Sequence, residues 1–345
     1  MKVGCVKEIK NNEFRVGLTP DNVKAYVAAG HEVLIERGAG LGSGFTDDEY
    51  EAAGAKMYES SEAVWDNSEM MVKVKEPLPE EYNSFHKGLI LYTYLHLAPD
   101  PEQTEALLRH KVTGVAYETL RERDGSLPLL IPMSQIAGRL SIQEGAKYLE
   151  KKFGGEGILL AGVPGTPKGK VVILGAGTVG ANACRAAVGI GADVTIIDIN
   201  LKRLEYLDEI FGARIQTLVS TDGNIEKAVR DADLVIGSVL IPGSATPKLF
   251  KRKYLSEMKN GAVFVDVAID QGGCGESSHI TTHDDPIFIE EGVVHYCVGN
   301  MPGAVSRTST IALTNATLRY GLQIANNGLK NACKKNDVIY SAINT

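Results

Sequence analysis

The chain has 345 residues, 44% of them hydrophobic and 23% charged, which is the balance of a globular protein with room for two domains. A net charge of −7 without a long basic block argues against a nucleic-acid partner. No apolar stretch reaches the length of a membrane span, MKVGCVKEIK lacks the apolar region of a secretory signal, and the five scattered cysteines form no CxxC pair. We therefore expect a cytoplasmic protein with no membrane partner and no metal.

Strand-like and helix-like segments alternate over the first 125 residues. Thr19 is the predicted N-cap of a helix, and Pro20 is its first residue. The alternation predicts a parallel sheet covered by helices. Strands are predicted at 1–8, 31–38, 70–77, 88–97 and 112–120, and helices at 18–30, 46–55 and 100–111.

A second series follows a predicted connecting helix at 132–151 and a loop rich in glycine and proline. Its strands are predicted at 170–177, 193–199, 233–239 and 262–269, and its helices at 178–191 and 200–212. A long helix after the segment 301–310 should run to about residue 329 and pack on the first domain. The prediction is an α/β protein of two Rossmann-like, doubly wound parallel-sheet domains separated by a cleft, formed by residues 1–127 with 306–345 and by residues 128–305.

The segment VVILGAGTVG places glycines 175, 177 and 180 in a G-x-G-x-x-G pattern between a strand and a helix. Gly175 would permit a tight turn, Gly177 would let a pyrophosphate approach, and Gly180 would let helix and strand pack closely. Asp198 ends the next strand, where a carboxylate binds ribose hydroxyls and repels a 2′-phosphate, so NAD is favoured over NADP. Arg203 lies nearby and weakens that preference. The alternative is a structural turn with a surface aspartate.

Loops that follow later strands end at the same edge of the predicted sheet, where ligands of open α/β sheets bind. Asp270 follows one of these strands and precedes two glycines. By position it is either a turn-capping residue or a catalytic acid.

Four residues of the first domain are candidates for a substrate site. Arg15 lies in a loop before the helix capped by Thr19, Lys73 and Lys75 share one face of a predicted strand, and His96 ends another strand. Two cations near one strand edge could bind a small carboxylate. The alternatives are solvated charges and a core histidine. Together with the cofactor motif, these residues indicate an NAD-linked oxidoreductase of a small carboxylate.

Several ordered motifs resemble the L-alanine dehydrogenase family, which also contains the NAD-binding component of proton-translocating transhydrogenase. The resemblance runs from residue 1 to about 330, and no role is assigned to the tail beyond it. It rests on the segments KEIKNNEFRVGLTP, VKVKEP, YTYLHLA, IPMSQIAGRLSIQEGAKYLE, VVILGAGTVG, VDVAIDQGG and VGNMPGAVSRTST.

The resemblance implies the reversible oxidative deamination of L-alanine to pyruvate and ammonium, with hydride transfer to NAD, in amino-acid catabolism. It makes His96 the general acid–base, makes Asp270 a second catalytic group, and assigns Arg15 and Lys75 to the substrate. It also implies a homo-oligomer, often a hexamer. The implied cofactor residues are Ser134, Gly175, Gly177, Thr178, Val179, Gly180, Asp198, Arg203, Ser220, Val239, Leu240, Val267, Ala268, Ile269, Asp270, Val298, Gly299, Asn300 and Met301.

Two other functions stay open at this point. One is a non-catalytic NAD-binding module that needs a membrane partner. The other is a dehydrogenase of a larger substrate, of the saccharopine or lysine-linked type, whose pocket size the sequence does not determine.

Overall fold

Two β-sheets organise the chain in the computed structural model, which describes residues 1–239 and 246–345. Contacts divide the chain into unit 1, formed by Met1–Met133 with Gly303–Thr345, and unit 2, formed by Ser134–Pro302. The predicted α/β class with two Rossmann-like parallel-sheet domains is confirmed. Within the described residues, no helix is both long enough and apolar enough to cross a membrane.

Unit 1 is built on the strands β1 (Lys2–Cys5), β2 (Glu32–Glu36), β3 (Lys56–Tyr58), β4 (Met70–Val72), β5 (Ile90–Thr93) and β6 (Thr113–Ala116). They form one sheet in the order β3-β2-β1-β4-β5-β6, and all of their pairings are parallel. The strand order reverses between β1 and β4. Ligands of doubly wound sheets bind at such a switch point, outside the carboxyl ends of the strands.

Capping residues in the sequence determine where the helices of unit 1 begin. The Thr19 hydroxyl accepts the N–H of Asn22 at 3.3 Å, and the Asn22 side chain accepts the N–H of Thr19 at 2.9 Å, which is a reciprocal capping box. Thr46 and Glu49 repeat this arrangement one helix later. The helices are α1 (Pro20–Ala28), α2 (Asp47–Ala52), α3 (Ser61–Asn67) and α4 (Pro101–His110).

The C-terminal segment belongs to unit 1. Helix α9 (Ser306–Asn327) contacts α1, which confirms the predicted return of the long helix to the first domain. The tail then forms α10 (Leu329–Lys335) and α11 (Asp337–Tyr340). Beyond them, the N–H of Asn344 donates to the carbonyl of Gly114 at 2.9 Å, and the N–H of Ala116 donates to that of Ala342 at 2.7 Å. The tail therefore covers the outer edge of β6, where exposed backbone groups would otherwise invite pairing with other chains.

Unit 2 is built on β7 (Lys170–Leu174), β8 (Asp193–Asp198), β9 (Ile215–Val219), β10 (Leu234–Gly237), β11 (Val263–Asp266), β12 (Ile287–Glu290) and β13 (Val293–Tyr296). The sheet order is β12-β13-β11-β10-β7-β8-β9, and only β12 runs antiparallel to its neighbour among the described strands. A switch point lies between β7 and β10. The helices are α6 (Thr178–Ile190), α7 (Leu201–Phe211) and α8 (Asp222–Arg230), and α5 (Ile131–Tyr148) spans the boundary between the units.

Two predicted strands of unit 1 end earlier than the sequence pattern indicates. The strand predicted at 70–77 ends at Val72, because the Glu8 carboxylate accepts the N–H of Val74 at 2.7 Å. The strand predicted at 88–97 ends at Thr93, and the Glu118 carboxylate accepts the N–H of Leu95 at 3.0 Å. In both places a side chain takes a backbone donor that would otherwise extend the sheet. The prediction that Lys73 and Lys75 share a strand face is therefore wrong.

Several short elements are absent from the sequence-based prediction: β3, α3, β9, α8, β12 and β13. Each of them has nine residues or fewer. Segments of this length contain too few periods of the apolar pattern to be distinguished from loops.

Candidate active site

Loops at the carboxyl edge of the unit 2 sheet carry most of the predicted cofactor residues. The carboxyl ends of parallel strands meet at one edge, so these loops gather there although they are far apart in sequence. Leu240 lies outside the described residues. Ser134 lies on α5, and Asp198 is the last residue of β8. The others follow β7 (Gly175, Gly177, Thr178, Val179, Gly180), β8 (Arg203), β9 (Ser220), β10 (Val239), β11 (Val267, Ala268, Ile269, Asp270) and β13 (Val298, Gly299, Asn300, Met301).

The three glycines of the turn between β7 and α6 occupy different environments. Gly175 has φ +104°, a conformation that side chains disfavour. A Cβ on Gly180 would overlap the carbonyl oxygen of Gly175, so helix and strand pack closely only with glycine there. Among the described residues, no heavy atom outside the adjoining chain lies within 4 Å of where a Cβ on Gly177 would stand. The open backbone at Gly177, at the start of a 13-residue helix, fits the pyrophosphate of a dinucleotide.

Asp198 and Arg203 both contact the residue between the first two glycines. The Asp198 carboxylate accepts the N–H of Ala176 at 2.5 Å and that of Asn200 at 2.7 Å. The Arg203 Nε donates to the Ala176 carbonyl at 3.1 Å. These contacts fix the turn, and a carboxylate retains further acceptor positions for a ribose hydroxyl.

The loop after β11 is organised by Asp266, a buried residue that sequence reasoning missed. Its carboxylate accepts the N–H groups of Ala268, Cys274 and Gly275 at 3.1, 2.9 and 3.0 Å, as well as a hydroxyl of Ser278 at 2.6 Å. A charged acceptor holding several N–H groups makes strong hydrogen bonds. The loop that presents Asp270 is therefore held by a side chain at its base.

Asp270 itself is exposed, and it does not cap its own turn. Its two carboxylate oxygens lie 3.2 and 3.4 Å from the backbone nitrogen of Asn300, which donates to them from the loop after β13. Asn300 has φ +58°. The structure thus brings together two of the predicted cofactor loops through this carboxylate.

Ser134 lies on α5 rather than at a strand end. One turn later, a Cβ on Gly138 would overlap the carbonyl oxygen of Val179, so α5 packs tightly against the start of α6. This packing places the Ser134 end of α5 next to the glycine-rich turn.

Arg15, in the loop between β1 and α1, is 2% exposed and paired with Glu13. The guanidinium donates to the two Glu13 oxygens at 2.6 and 2.5 Å, and Nη1 lies 3.1 Å from the Met133 sulfur. Burial alone would lower the pKa of Arg15, but the hydrogen bonds and charge of Glu13 outweigh it and raise that pKa. Arg15 therefore remains charged, in a fixed orientation, at the unit 1 switch point.

Lys73 and Lys75 have different environments. Lys73 is fully buried, and its ammonium lies 2.9 Å from Glu81 and 3.1 Å from Glu8. Burial opposes its charge, but both carboxylates raise the pKa of Lys73 above its usual value. Lys73 is thus neither solvated nor positioned to bind a substrate, and its ion pairs are structural. Lys75 is half-buried, and its backbone carbonyl accepts the hydroxyl of Thr93 at 3.0 Å.

His96 lies three residues beyond β5, with 45% of its side chain exposed and φ +49°. Its ring stacks on Tyr94 with a centroid distance of 6.0 Å and an interplanar angle of 15°. Burial raises the pKa of Tyr94, and the nearby Arg15 charge opposes that shift. His96 is therefore not a core histidine. It follows β5 as Arg15 follows β1 and Lys75 follows β4, so all three leave one edge of the sheet.

The sequence reasoning missed the carboxylates that support these residues: Glu8, Glu13, Glu81 and Glu118. Glu13 could have been found from its position two residues before Arg15. Glu8 binds the N–H of Val74, 66 residues away, and Glu118 binds that of His96, 22 residues away. No local sequence pattern identifies pairs so far apart.

Comparisons with known proteins extend over both units. The model of the alanine dehydrogenase/PNT N-terminal domain matches residues 4–137, and that of the C-terminal domain matches residues 141–345. The alanine dehydrogenases of Methanococcus maripaludis and Bacillus subtilis are each 58% identical over 346 aligned positions, covering all of this chain and 93% and 91% of those proteins. The expected end of the resemblance near residue 330 is wrong, because the match includes the tail.

Solved structures agree with these matches. An L-alanine dehydrogenase superposes with a TM-score of 0.98 at 53% identity, covering all of this chain and 95% of that one. A transhydrogenase from Sinorhizobium meliloti has a TM-score of 0.83 at 24% identity, with 94% and 95% covered, and shows the same fold.

The fold and these comparisons together define an NAD-dependent oxidoreductase built from two Rossmann-like domains. The chain belongs to the alanine dehydrogenase/PNT family. The predicted family, enzyme class and dinucleotide cofactor are thereby confirmed.

Proposed function

We propose that this protein catalyses the reversible oxidative deamination of L-alanine to pyruvate and ammonium. The observation that carries the proposal is its 58% identity, over its full length, to proteins named alanine dehydrogenase. Each unit by itself supports the proposal: unit 1 carries cations and a histidine at its sheet edge, and unit 2 carries an open glycine-rich turn at its own.

We assign the substrate carboxylate and carbonyl to Arg15 and Lys75. Arg15 keeps its charge against burial because Glu13 is bound to it, so it stays cationic at the position where we assign it to the substrate carboxylate. Lys75 would stabilise negative charge developing on the carbonyl oxygen during amination. Both residues leave the carboxyl edge of the sheet at the switch point between β1 and β4.

His96 and Asp270 are assigned to proton transfer. In the oxidative direction bound NAD would supply the acceptor for the hydride that leaves Cα of the neutral amine, and the substrate would become a protonated imine, an iminium. His96 or Asp270 would then take a proton from the water that adds to the iminium carbon and return it to the nitrogen of the carbinolamine. The hydroxyl proton of the carbinolamine would pass to the same group as the C=O bond of pyruvate forms and ammonia leaves. An imidazole can donate and accept protons near neutral pH, which suits a reversible reaction.

The cofactor residues named above would bind NAD, with its pyrophosphate at the turn Gly175–Gly180 and its ribose at Asp198.

The boundaries 1–127 with 306–345 and 128–305 remain our proposal for the substrate and NAD-binding domains. We also propose a cytoplasmic homo-oligomer, with a hexamer as the expected state, and L-alanine, pyruvate and ammonium as the molecules it binds.

An absorbance assay with NADH, ammonium and pyruvate tests the function. We expect NADH oxidation that requires ammonium, with weaker activity when NADPH or larger 2-oxo acids are used instead. If NADH binds but is not oxidised, the chain is a binding module of the transhydrogenase type and the proposal is wrong. A preference for a larger 2-oxo acid would instead indicate a dehydrogenase of another substrate.

The role of His96 is tested by His96→Ala. Loss of a general acid–base reduces the rate by about a hundredfold to ten-thousandfold. The affinity for NADH, measured by nicotinamide fluorescence, should stay unchanged because His96 lies on unit 1. Turnover close to that of the unchanged protein would remove His96 from the mechanism.

A further inference from the structure

The backbone at His96 adopts a conformation that needs support. Its φ of +49° lies in the left-handed region, which non-glycine residues seldom occupy and which is unfavourable for a residue with a Cβ. Such conformations persist only where the surrounding structure enforces them, and they concentrate at functional sites.

Glu118 supplies that support from the turn that follows the neighbouring strand. It follows β6, which pairs with β5, and its side chain is 19% exposed. Its Oε1 accepts the N–H of Leu95 at 3.0 Å and that of His96 at 2.6 Å. Two successive N–H groups therefore converge on one carboxylate oxygen, as in the backbone concavities that bind anions.

The same oxygen lies near the imidazole. The distance from Glu118 Oε1 to His96 Nδ1 is 4.0 Å, so the carboxylate acts on the ring through its charge while its hydrogen bonds go to the backbone. The Glu118 carboxylate therefore holds the turn that carries His96, and its negative charge acts on the imidazole ring.

Two further contacts keep the segment in place. The buried Gln103 side chain, on α4, donates through Nε2 to the Leu95 carbonyl at 3.0 Å. The Tyr94 ring stacks on the imidazole, while its hydroxyl donates to the Leu129 carbonyl at 2.6 Å. Gln103 holds the backbone before His96 and Tyr94 packs on its ring, whereas Glu118 binds the N–H of His96 and also lies near its ring.

We propose that Glu118 is a positioning residue for catalysis: it holds His96 in its left-handed turn and orients the imidazole for proton transfer. This inference rests on the proposed function. A carboxylate that only stabilised the fold would affect stability in every background, whereas a positioning residue loses its effect on rate when the histidine is absent.

A double-mutant cycle separates the two roles. Glu118→Ala should lower the amination rate by about tenfold to a hundredfold, because small displacements of a reacting group have effects of that size. Glu118→Gln keeps an acceptor oxygen for the two N–H groups and should recover part of the loss. In the His96→Ala background, Glu118→Ala should cause no further loss of rate in single-turnover experiments with saturating NADH.

Glu105→Gln is the matched control. Glu105 is an exposed carboxylate on α4, two residues from Gln103, and its substitution should leave rate and NADH affinity unchanged. If Glu118→Ala lowers the rate by the same factor with and without His96, Glu118 does not act through the histidine and the proposal is overturned.

Amide hydrogen exchange distinguishes failure of this proposal from failure of the proposed function. If the unchanged protein does not turn over, the reaction assignment fails, but exchange at Leu95 and His96 still reports on Glu118. We expect both amides to exchange about tenfold faster or more in Glu118→Ala than in the Glu105→Gln control. Equal exchange in the two variants would show that Glu118 does not hold this segment.

Discussion

The two sheet edges are built by different means. At the edge of unit 1, charged side chains are buried against one another: Arg15 against Glu13, and Lys73 between Glu8 and Glu81. At the edge of unit 2, the backbone is shaped instead, by glycines in the turn after β7 and by Asp266 in the loop after β11. Unit 1 thus holds fixed charges, which suits chemistry on a small carboxylate, whereas unit 2 offers open N–H groups, which suits a large phosphate-bearing ligand.

The comparison predicts that unit 1 depends on the balance of its buried charges. Replacing Lys73 with Met leaves Glu8 and Glu81 buried without their cation, and removing one partner of a buried ion pair costs about 3–5 kcal/mol. We expect Lys73→Met to show this loss in urea denaturation. Lys87→Met, which removes an exposed lysine, is the control and should change stability by less than about 0.5 kcal/mol. Equal stability of both variants would mean that the buried charges are not what supports this edge.

Unit 2 should instead be sensitive to single methyl groups on its turn. Gly180→Ala places a Cβ against the Gly175 carbonyl, and overpacking of this kind costs about 1–3 kcal/mol. Gly177→Ala meets no described atom outside the adjoining chain within 4 Å, so the fold should be kept while NADH binding weakens. Thermal denaturation and nicotinamide fluorescence measure the two effects. A stable Gly180→Ala, or a Gly177→Ala that binds NADH normally, would contradict the division of roles within the turn.

This difference between the two units explains which features of the fold and of the sites can be predicted from the sequence. The cofactor turn is local: strand, three glycines and helix occupy consecutive residues, and each glycine has the environment that its spacing predicts. The class of fold follows for the same reason, because alternating strands and helices are local patterns.

The support of the unit 1 site is not local. Lys73 has the spacing of a strand residue that shares a face with Lys75, yet the carboxylate of Glu8 ends the strand and buries the lysine in an ion pair. His96 has the pattern of a strand end, but its left-handed turn depends on Glu118, which lies 22 residues away. Pairing of side chains across strands is a property of the folded sheet, so a pass along the sequence identifies the cations and misses their partners.

The preference for NADH over NADPH provides a further test of the cofactor site on unit 2. Asp198 already holds the N–H of Ala176, so its replacement affects both the turn and the ribose position. We expect Asp198→Asn to weaken NADH binding and to lower the ratio of the NADPH to the NADH dissociation constant about tenfold, since the 2′-phosphate no longer meets a negative charge. Asp208→Asn, an exposed change on α7, is the control. An unchanged ratio would place the discrimination elsewhere.

The smallest expected effect concerns alkaline pH and the buried tyrosines of unit 1. Burial raises the pKa of Tyr117 well above its usual value, and the centroid of its ring lies 4.5 Å from that of the Tyr92 ring. In the unfolded chain a tyrosine loses its proton at about pH 10, whereas the buried Tyr117 of the folded protein keeps it. The unfolded state therefore binds fewer protons above that pH, and the free energy of unfolding falls by up to about 1.4 kcal/mol per pH unit for each such group.

Tyr117→Phe tests this contribution with little disturbance of the core. The Tyr117 hydroxyl is buried without a hydrogen-bond partner among the described residues, so its removal should change stability at neutral pH by less than about 0.5 kcal/mol. Above about pH 10 the variant should lose stability less steeply than the unchanged protein, as measured by urea denaturation across the pH range. Tyr340→Phe, which alters a tyrosine that is 68% exposed, should leave the slope unchanged. Parallel slopes for Tyr117→Phe and the unchanged protein would show that Tyr117 does not contribute to the loss of stability above about pH 10.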